Sequence, residues 1–297
     1  MGVDEEGCKL FYLAGGYRKV VPPYTRVSLF DNTIVPVAIN VSITLLKMMG
    51  IDERQNSIDL QFEVNLEWRD HRITYNNLKK GLFLNALTEG DKDRIWLPIV
   101  VYGNTDQKET TRQGWIEEWS TSVVVSRDGS FTRQVLKQDN LTLSTRSEVN
   151  EVDEREIFKG SENRLIMTQT YTHEFQCVYR LDNYPFDKQT CSIDMTTSEL
   201  DRSILRLFPK KLWMEQDVDM TLFHMDSWDL DFRSRSAPEE GVSMTIVLRR
   251  KILSEMMGTF LPSLLLMMIT FATTSFKPFY FEAALTSDVN SRRLGEG

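Results

Sequence analysis

The chain has few of the residues that carry out reactions. Its three histidines, His71, His173 and His224, fall in separate strand-like segments with no metal-ligand spacing. There is no glycine-rich phosphate loop, no P-loop and no nucleophile motif. Nothing therefore supports an enzyme, a metal or a cofactor. Long runs of Lys or Arg are also missing and the net charge is −8, which excludes nucleic acid as an expected partner. Cysteine is scarce, with only Cys8, Cys177 and Cys191. The first residues, Met1 to Lys9, lack the basic start and apolar stretch of a secretory signal. No long amphipathic helical pattern occurs before residue 250.

What is present is alternation. Val35, Val37, Ile39, Val41, Ile43 and Leu45 are apolar, with mostly small or polar residues between them. The run Ile58, Leu60, Phe62, Val64, Leu66 and Trp68 alternates with Asp59, Gln61, Glu63, Asn65 and Glu67. This period of two marks strands with one face on a core and the other in water. Shorter runs lie at Val123–Val125, Trp228–Phe232 and Val242–Leu248. Asp128-Gly129 predicts a hairpin turn between the arms Val123–Val125 and Phe131–Val135. The fold class is mainly β, an immunoglobulin-like β-sandwich of about ten strands.

The character then changes. Met256 to Phe276 is 21 residues without a charge, the length of one membrane-spanning helix. Ser287 to Gly297 is polar again. The expected division is an N-terminal segment over 1–33, a sandwich domain over 34–250, a transmembrane α-helix over 251–277 and a polar tail over 278–297. A short helix is expected before the first strand. Two sequons, at Asn40 and Asn140, matter only in the secretory pathway, so a missing or removed signal peptide is expected.

The most specific segment is C-V-Y-R-L-D-N-Y-P-F-D-K-Q-T-C, from Cys177 to Cys191. Its spacing and its Tyr184-Pro185-Phe186-Asp187 core resemble the signature loop of the Cys-loop receptors, the pentameric ligand-gated ion channels. Trp68-Arg69-Asp70 and Trp96-Leu97-Pro98 resemble two further motifs of that family, the second only in part because Ile99 stands where an Asp is usual. Arg249-Arg250 followed by Pro262 resembles the junction into the first transmembrane helix, and Phe281 to Thr286 the turn toward the pore helix. The resemblance implies a Cys177–Cys191 disulfide, which stabilises by about 3 kcal/mol through the unfolded chain, and an oxidising compartment. Cys8 is left over, either a free thiol or a link between chains. The 34–250 region is then the extracellular ligand-binding domain, at the plasma membrane. An incidental hairpin disulfide in another secreted β protein is the competing explanation.

By the same resemblance the agonist sits between adjacent subunits of a homo- or hetero-pentamer. The matching positions are Glu63, Asn65, Tyr102, Gly103, Ser198 and Glu239. They supply neither the aromatic cage that a quaternary ammonium needs nor, at Asn65, the Arg fork that a transmitter carboxylate needs. The ligand is therefore left as an unspecified small molecule. Coupling to the pore falls to Asp52, Glu53, Phe186, Asp187, Arg249 and Arg250, converging at the membrane surface, and the acid Glu282 implies cation selectivity through a ring of carboxylates. The segment from Gly103 to Cys177 is longer than the family's usual spacing, and its acidic stretch Asn150–Glu154 is expected at the surface.

The expected partners are other channel subunits and the lipid bilayer. The alternatives are a truncated, non-conducting isoform that modulates full-length subunits, and a single-pass β-sandwich adhesion protein. The latter requires widely separated cysteines bracketing a Trp, which this chain lacks.

Overall fold

The computed structural model describes residues 10–23, 36–105, 121–135, 154–198, 201–215, 222–234 and 240–275. Within them the chain forms β1 (Phe11–Leu13), β2 (Val37–Asp52), β3 (Ser57–Trp68), β4 (Ile73–Asn76), β5 (Val100–Tyr102), β6 (Ser122–Val125) and β7 (Phe131–Val135). There follow β8 (Glu154–Lys159), β9 (Leu165–Gln176), β10 (Lys188–Thr197), β11 (Leu205–Met214), β12 (Phe223–Phe232) and β13 (Val242–Arg250). Before residue 250 the described helices are a single 3-10 turn at Leu82–Asn85 and α1 (Glu89–Lys92). No helix precedes the first strand among the described residues; Phe11–Leu13 is itself a strand, paired with β4.

Two compact units divide the chain. The first holds residues 1–179, 189–218 and 225–248, and the second 180–188, 219–224 and 249–297. A five-stranded sheet runs β11-β2-β3-β9-β6, a four-stranded sheet β12-β13-β10-β5, and a smaller one β1-β4-β8-β7. The alternation of β3 decides its faces. Ile58, Leu60, Phe62, Val64, Leu66 and Trp68 are each at most 1% exposed, while Gln61, Glu63, Asn65 and Glu67 are half-buried on the other side. Each such apolar side chain contributes about 1.5–3 kcal/mol on leaving water. Between the sheets, Tyr102 of β5 meets Phe62 of β3 and Tyr171 and Phe175 of β9, with ring centroids 5.3–5.9 Å apart. The sandwich expected from patterning is present.

The expected Asp128-Gly129 hairpin is not. β6 pairs with β9 in the large sheet, whereas β7 pairs with β8 in the small one. The dipeptide instead carries the chain from one sheet to another. The Asn163 side-chain oxygen accepts both the Asp128 and Gly129 N–H groups at 3.0 Å. Arg164 grips Asp128 with Nε–Oδ2 at 2.6 Å and reaches Glu67 on β3 at 2.8 Å. The Arg164 hydrogen bond holds the Asp128 carboxyl down to about 2.

The Trp68-Arg69-Asp70 motif closes the end of β3. Asp70 is fully buried and accepts a fork from Arg72, Nε at 2.8 Å and Nη2 at 2.7 Å. The Tyr17 hydroxyl donates to Asp70 at 3.4 Å and accepts the Trp96 N–H at 2.7 Å. Burial, opposed in part by that N–H, pushes the Tyr17 phenol up to about 12. Trp96 in turn stands edge-on to Trp68 at 6.1 Å.

In the second unit α2 (Ile252–Glu255) passes through a π-helical turn at Met256–Phe260 into α3 (Leu261–Ser275). The Leu261 N–H reaches back to the Met256 carbonyl. Pro262 explains the widening: it lacks an N–H, and its ring would crowd the carbonyl four residues back in a regular helix. Ile252–Thr273 is a 22-residue apolar stretch, about 33 Å at the helical rise, long enough to cross a bilayer. Ser263 and Thr270 donate their hydroxyls to carbonyls one turn back, at 2.7 Å, so they leave no unsatisfied group on an apolar helix.

Candidate functional site

Cys177 and Cys191 are bonded, with Cα atoms 5.2 Å apart. Both belong to the first unit; the loop tip between them, residues 180–188, belongs to the second. At that tip Phe186 is 68% exposed, whereas Asp187 is buried. The buried carboxylate has a specific partner. Arg250 Nε lies 2.7 Å from Asp187 Oδ1, and Nη2 lies 3.0 Å from Oδ2. Both side chains are 2% exposed. The Arg250 guanidinium also lies over the rings of Phe223 and Tyr184, at 4.5 and 4.8 Å. Glu255, in the first turn of α2, sits 3.9 Å from Arg250 Nη1 and accepts the Tyr184 hydroxyl. Tyr184 stacks on Phe260 at 6.3 Å.

This arrangement follows from strand parity. Along β13, Val242, Met244, Ile246 and Leu248 are buried, and Arg250 continues that face. A guanidinium placed inward requires a fork acceptor, and a carboxylate on a tight loop provides one. Arg249, on the opposite face, is exposed and takes no part in the pair. Of the two arginines named from sequence, only Arg250 meets Asp187. Glu255, Tyr184 and Phe223 were not anticipated as parts of the site. Glu255 had a signal, a lone acid five residues after Arg250 at a helix start; Phe223 had none.

Asp52 and Glu53 lie in the first unit. Asp52 Oδ1 accepts the N–H groups of Arg54 and Gln55 at 2.8 and 3.0 Å, shaping the β2–β3 turn. The next turn residue, Asn56, accepts the Cys177 N–H on its carbonyl at 2.7 Å, and Tyr179 donates to the Ser57 carbonyl at 3.0 Å. The turn is therefore hydrogen-bonded to the chain at the first cysteine.

Among the described residues, the ligand candidates do not form one pocket within a single chain. Glu63 and Asn65 lie together on the outer face of β3: Asn65 donates to Glu63 at 2.9 Å and accepts from Thr168 at 2.5 Å. Their cross-strand neighbours are Ser42, Thr44, Thr168 and Thr170, with no aromatic among them. Tyr102 is on the other side, its ring in the core against Phe62. Beside it Gly103 donates its N–H to the Asp194 carbonyl at 3.0 Å. Ser198 follows the end of β10 and accepts the Asp201 N–H. Asn40 is half-buried near the start of β2, between Phe208 and Glu67, rather than in the surface loop a sequon favours. Cys8, Asn140, Glu239 and Glu282 lie outside the described residues.

The family model for the neurotransmitter-gated ion-channel ligand binding domain matches residues 9–138. Among curated relatives, the neuronal acetylcholine receptor subunit beta-2 of Gallus gallus is 22% identical over 261 residues, 84% of this chain and 42% of its own length. The gamma-aminobutyric acid receptor subunit beta-like of Drosophila melanogaster is 18% identical over 243 residues, 80% of this chain and 43% of its own. The acetylcholine receptor subunit beta-type unc-29 of Caenorhabditis elegans is 18% identical over 273 residues, 91% of this chain and 45% of its own. The chain thus spans less than half the length of these relatives. These receptor subunits align with four fifths of the chain or more, so the chain is similar to subunits of neurotransmitter-gated ion channels and, over residues 9–138, to their ligand binding domain.

Proposed function

We propose that this chain serves as a subunit of a ligand-gated ion channel at the plasma membrane, with the sandwich outside the cell and Ile252–Thr273 in the bilayer. The subunits form a homo- or hetero-pentameric ring whose contacts are heterologous, one face of each sandwich meeting the opposite face of the next. The observation that carries the reading is the buried Asp187–Arg250 fork, with Glu255 and Tyr184 beside it, in the same compact unit as the apolar helix. A movement of the loop tip cannot leave Arg250 behind without leaving an unpaired charge in a dry site, so the fork transmits displacement to the end of β13, two residues before the membrane segment. Asp52, Glu53, Phe186 and Arg249 are proposed to share in the coupling.

The ligand is a small molecule bound between subunits. The face bearing Glu63 and Asn65 offers a carboxylate, an amide and threonine hydroxyls, which suits a polar ligand with donor groups rather than one held by aromatic faces. Glu282 is proposed to favour cations at the pore mouth. The test expresses the complete gene product that contains this chain and records currents under a panel of amine and amino-acid transmitters. Wild type is expected to gate. Asp187→Arg and Arg250→Asp alone are expected to abolish gating or surface assembly, and the two together to recover part of it. Normal gating by both single variants would remove the fork from the coupling path.

A further inference from the structure

The sequon Asn40-Val41-Ser42 lies near the start of β2. Ile39, Val41 and Ile43 are fully buried, so Asn40 and Ser42 point to the outer face of the large sheet. One row of that sheet holds Phe208, Asn40 and Glu67, on β11, β2 and β3. Lys210 stands at a bulge of β11, where the register shifts between Pro209 and Lys211. Its ammonium meets both oxygens of Glu67, at 2.7 and 2.8 Å. Because β2 lies between those two strands, the ion pair spans β2 at the sequon. The span is easily opened. Lys210 is 44% exposed, an exposed pair of this kind is weak, and Glu67 keeps Arg164 at 2.8 Å without it. The Asn40 side chain makes no hydrogen bond among the described residues.

We infer that Asn40 carries an N-linked oligosaccharide and that its first sugar takes the place of Lys210 over β2, releasing Lys210 from Glu67. The modification needs an amide nitrogen with a hydroxyl two residues on, and Asn40 and Ser42 supply them. In the transfer Nδ2 loses a proton and bonds to the anomeric carbon of N-acetylglucosamine, and the lipid pyrophosphate of the sugar donor leaves. The transfer acts on a chain not yet folded, before Lys210, far later in the sequence, can reach Glu67. Phe208, the cross-strand neighbour of Asn40, offers the first sugar an aromatic surface. On β2 the sugar stands two residues from Ser42, the partner of Asn65, and four from Thr44, the partner of Glu63. That end of the face therefore stays open to solvent rather than covered by an adjacent subunit. The inference rests on the sandwich lying outside the cell, and not on ligand gating.

The test expresses the complete gene product that contains this chain in animal cells. Mass spectrometry reads the Asn40 peptide after enzymatic release of the sugar, which converts a modified Asn to Asp. Most chains are expected to be modified there. Lys210→Gln is then placed in two backgrounds, the glycosylated wild type and Asn40→Gln. It should lower the melting temperature of the Asn40→Gln protein by about 1–2 °C and leave that of the glycosylated protein unchanged, because only the bare chain keeps the ion pair. Ser42→Ala, which removes the sequon but keeps Asn40, should show the same loss on Lys210→Gln. An unmodified Asn40 in chains whose Cys177–Cys191 bond has formed would overturn the inference. An equal loss on Lys210→Gln in the glycosylated protein would overturn the exchange of sugar for ion pair. An unmodified Asn40 together with free Cys177 and Cys191 thiols would overturn the extracellular reading as well, so the two failures are distinct.

Discussion

Replacing Asp187 by Asn leaves the shape of the loop tip and removes one charge. The native carboxylate offers two oxygens to Arg250, at 2.7 Å to Nε and 3.0 Å to Nη2, in a site where both partners are 2% exposed. An amide keeps one acceptor and turns its NH2 toward a group that only donates. Breaking a buried pair from one side costs about 3–5 kcal/mol, because the remaining charge stays in low dielectric. Glu255 at 3.9 Å and the two rings at 4.5 and 4.8 Å still offset part of the Arg250 charge. The expected loss is therefore near 3 kcal/mol, about 6–12 °C in melting temperature for a domain of this size. The assay is thermal unfolding of the full chain in detergent, at low and at high salt. Salt screens exposed charges but hardly a buried pair, so the difference should persist at about 1 M salt. The companion variant Asp187→Leu/Arg250→Met removes both charges and should melt near wild type. An Asp187→Asn protein melting within about 2 °C of wild type would refute the buried-pair reasoning.

Asp128 should make the sandwich acid-labile in a defined window. Its carboxyl is held down to about 2 from 3.8, so its contribution is complete above the ordinary carboxylate value and fades as pH falls through about 2. Asp128→Asn should lower the urea midpoint at about pH 5 and flatten its further fall toward about pH 2; an unchanged pH profile would count against the Arg164 clamp. Asn163→Ala removes two backbone hydrogen bonds at the sheet crossing, about 1–3 kcal/mol. Hydrogen exchange at the Asp128 and Gly129 amides should then accelerate ahead of that in β3. Changing Cys177 and Cys191 together to Ser should cost about 3 kcal/mol. Mass spectrometry of the wild-type chain should recover the two peptides joined, and recovery of both thiols free would contradict the bonded loop.

Local patterning made the long strands legible. In β3 every second residue is apolar, and water selects the face whatever the partner strand is. The short strands were not legible in the same way. Phe11–Leu13 and Ile73–Asn76 hold three and four residues, too few for a period to show; they pair with each other across some sixty residues, and the second pairs with β8 far along the chain. Asp128-Gly129 shows the limit most directly. The dipeptide predicts a hairpin turn, but the chain only bends there and its two arms join different sheets, because a side chain 34 and 35 residues away, Asn163, holds both backbone N–H groups. Tyr102 is a ligand-site position by resemblance; its packing in the core on Phe62, Tyr171 and Phe175 depends on two sheets meeting, which no local pattern shows.

The two arginines at the end of β13 show that more was legible than local reading used. Val242, Met244, Ile246 and Leu248 fix the inward parity, and counting on by two reaches Arg250. A strand that ends with a guanidinium on its core face requires a buried anion, and the bonded loop offers one acid between a phenylalanine and a lysine. The odd register sends Arg249 the opposite way, exposed and unpaired among the described residues. Consecutive identical residues thus acquire different surroundings from a period of two: one is held inside the fork with Asp187, and the other is exposed. A single-residue insertion between Leu248 and Arg249 should exchange these roles, presenting the first arginine to Asp187. Gating or stability retained after that insertion, but then lost on changing Arg249 instead of Arg250 to Gln, is the expected signature of a site defined by register rather than by position in the sequence.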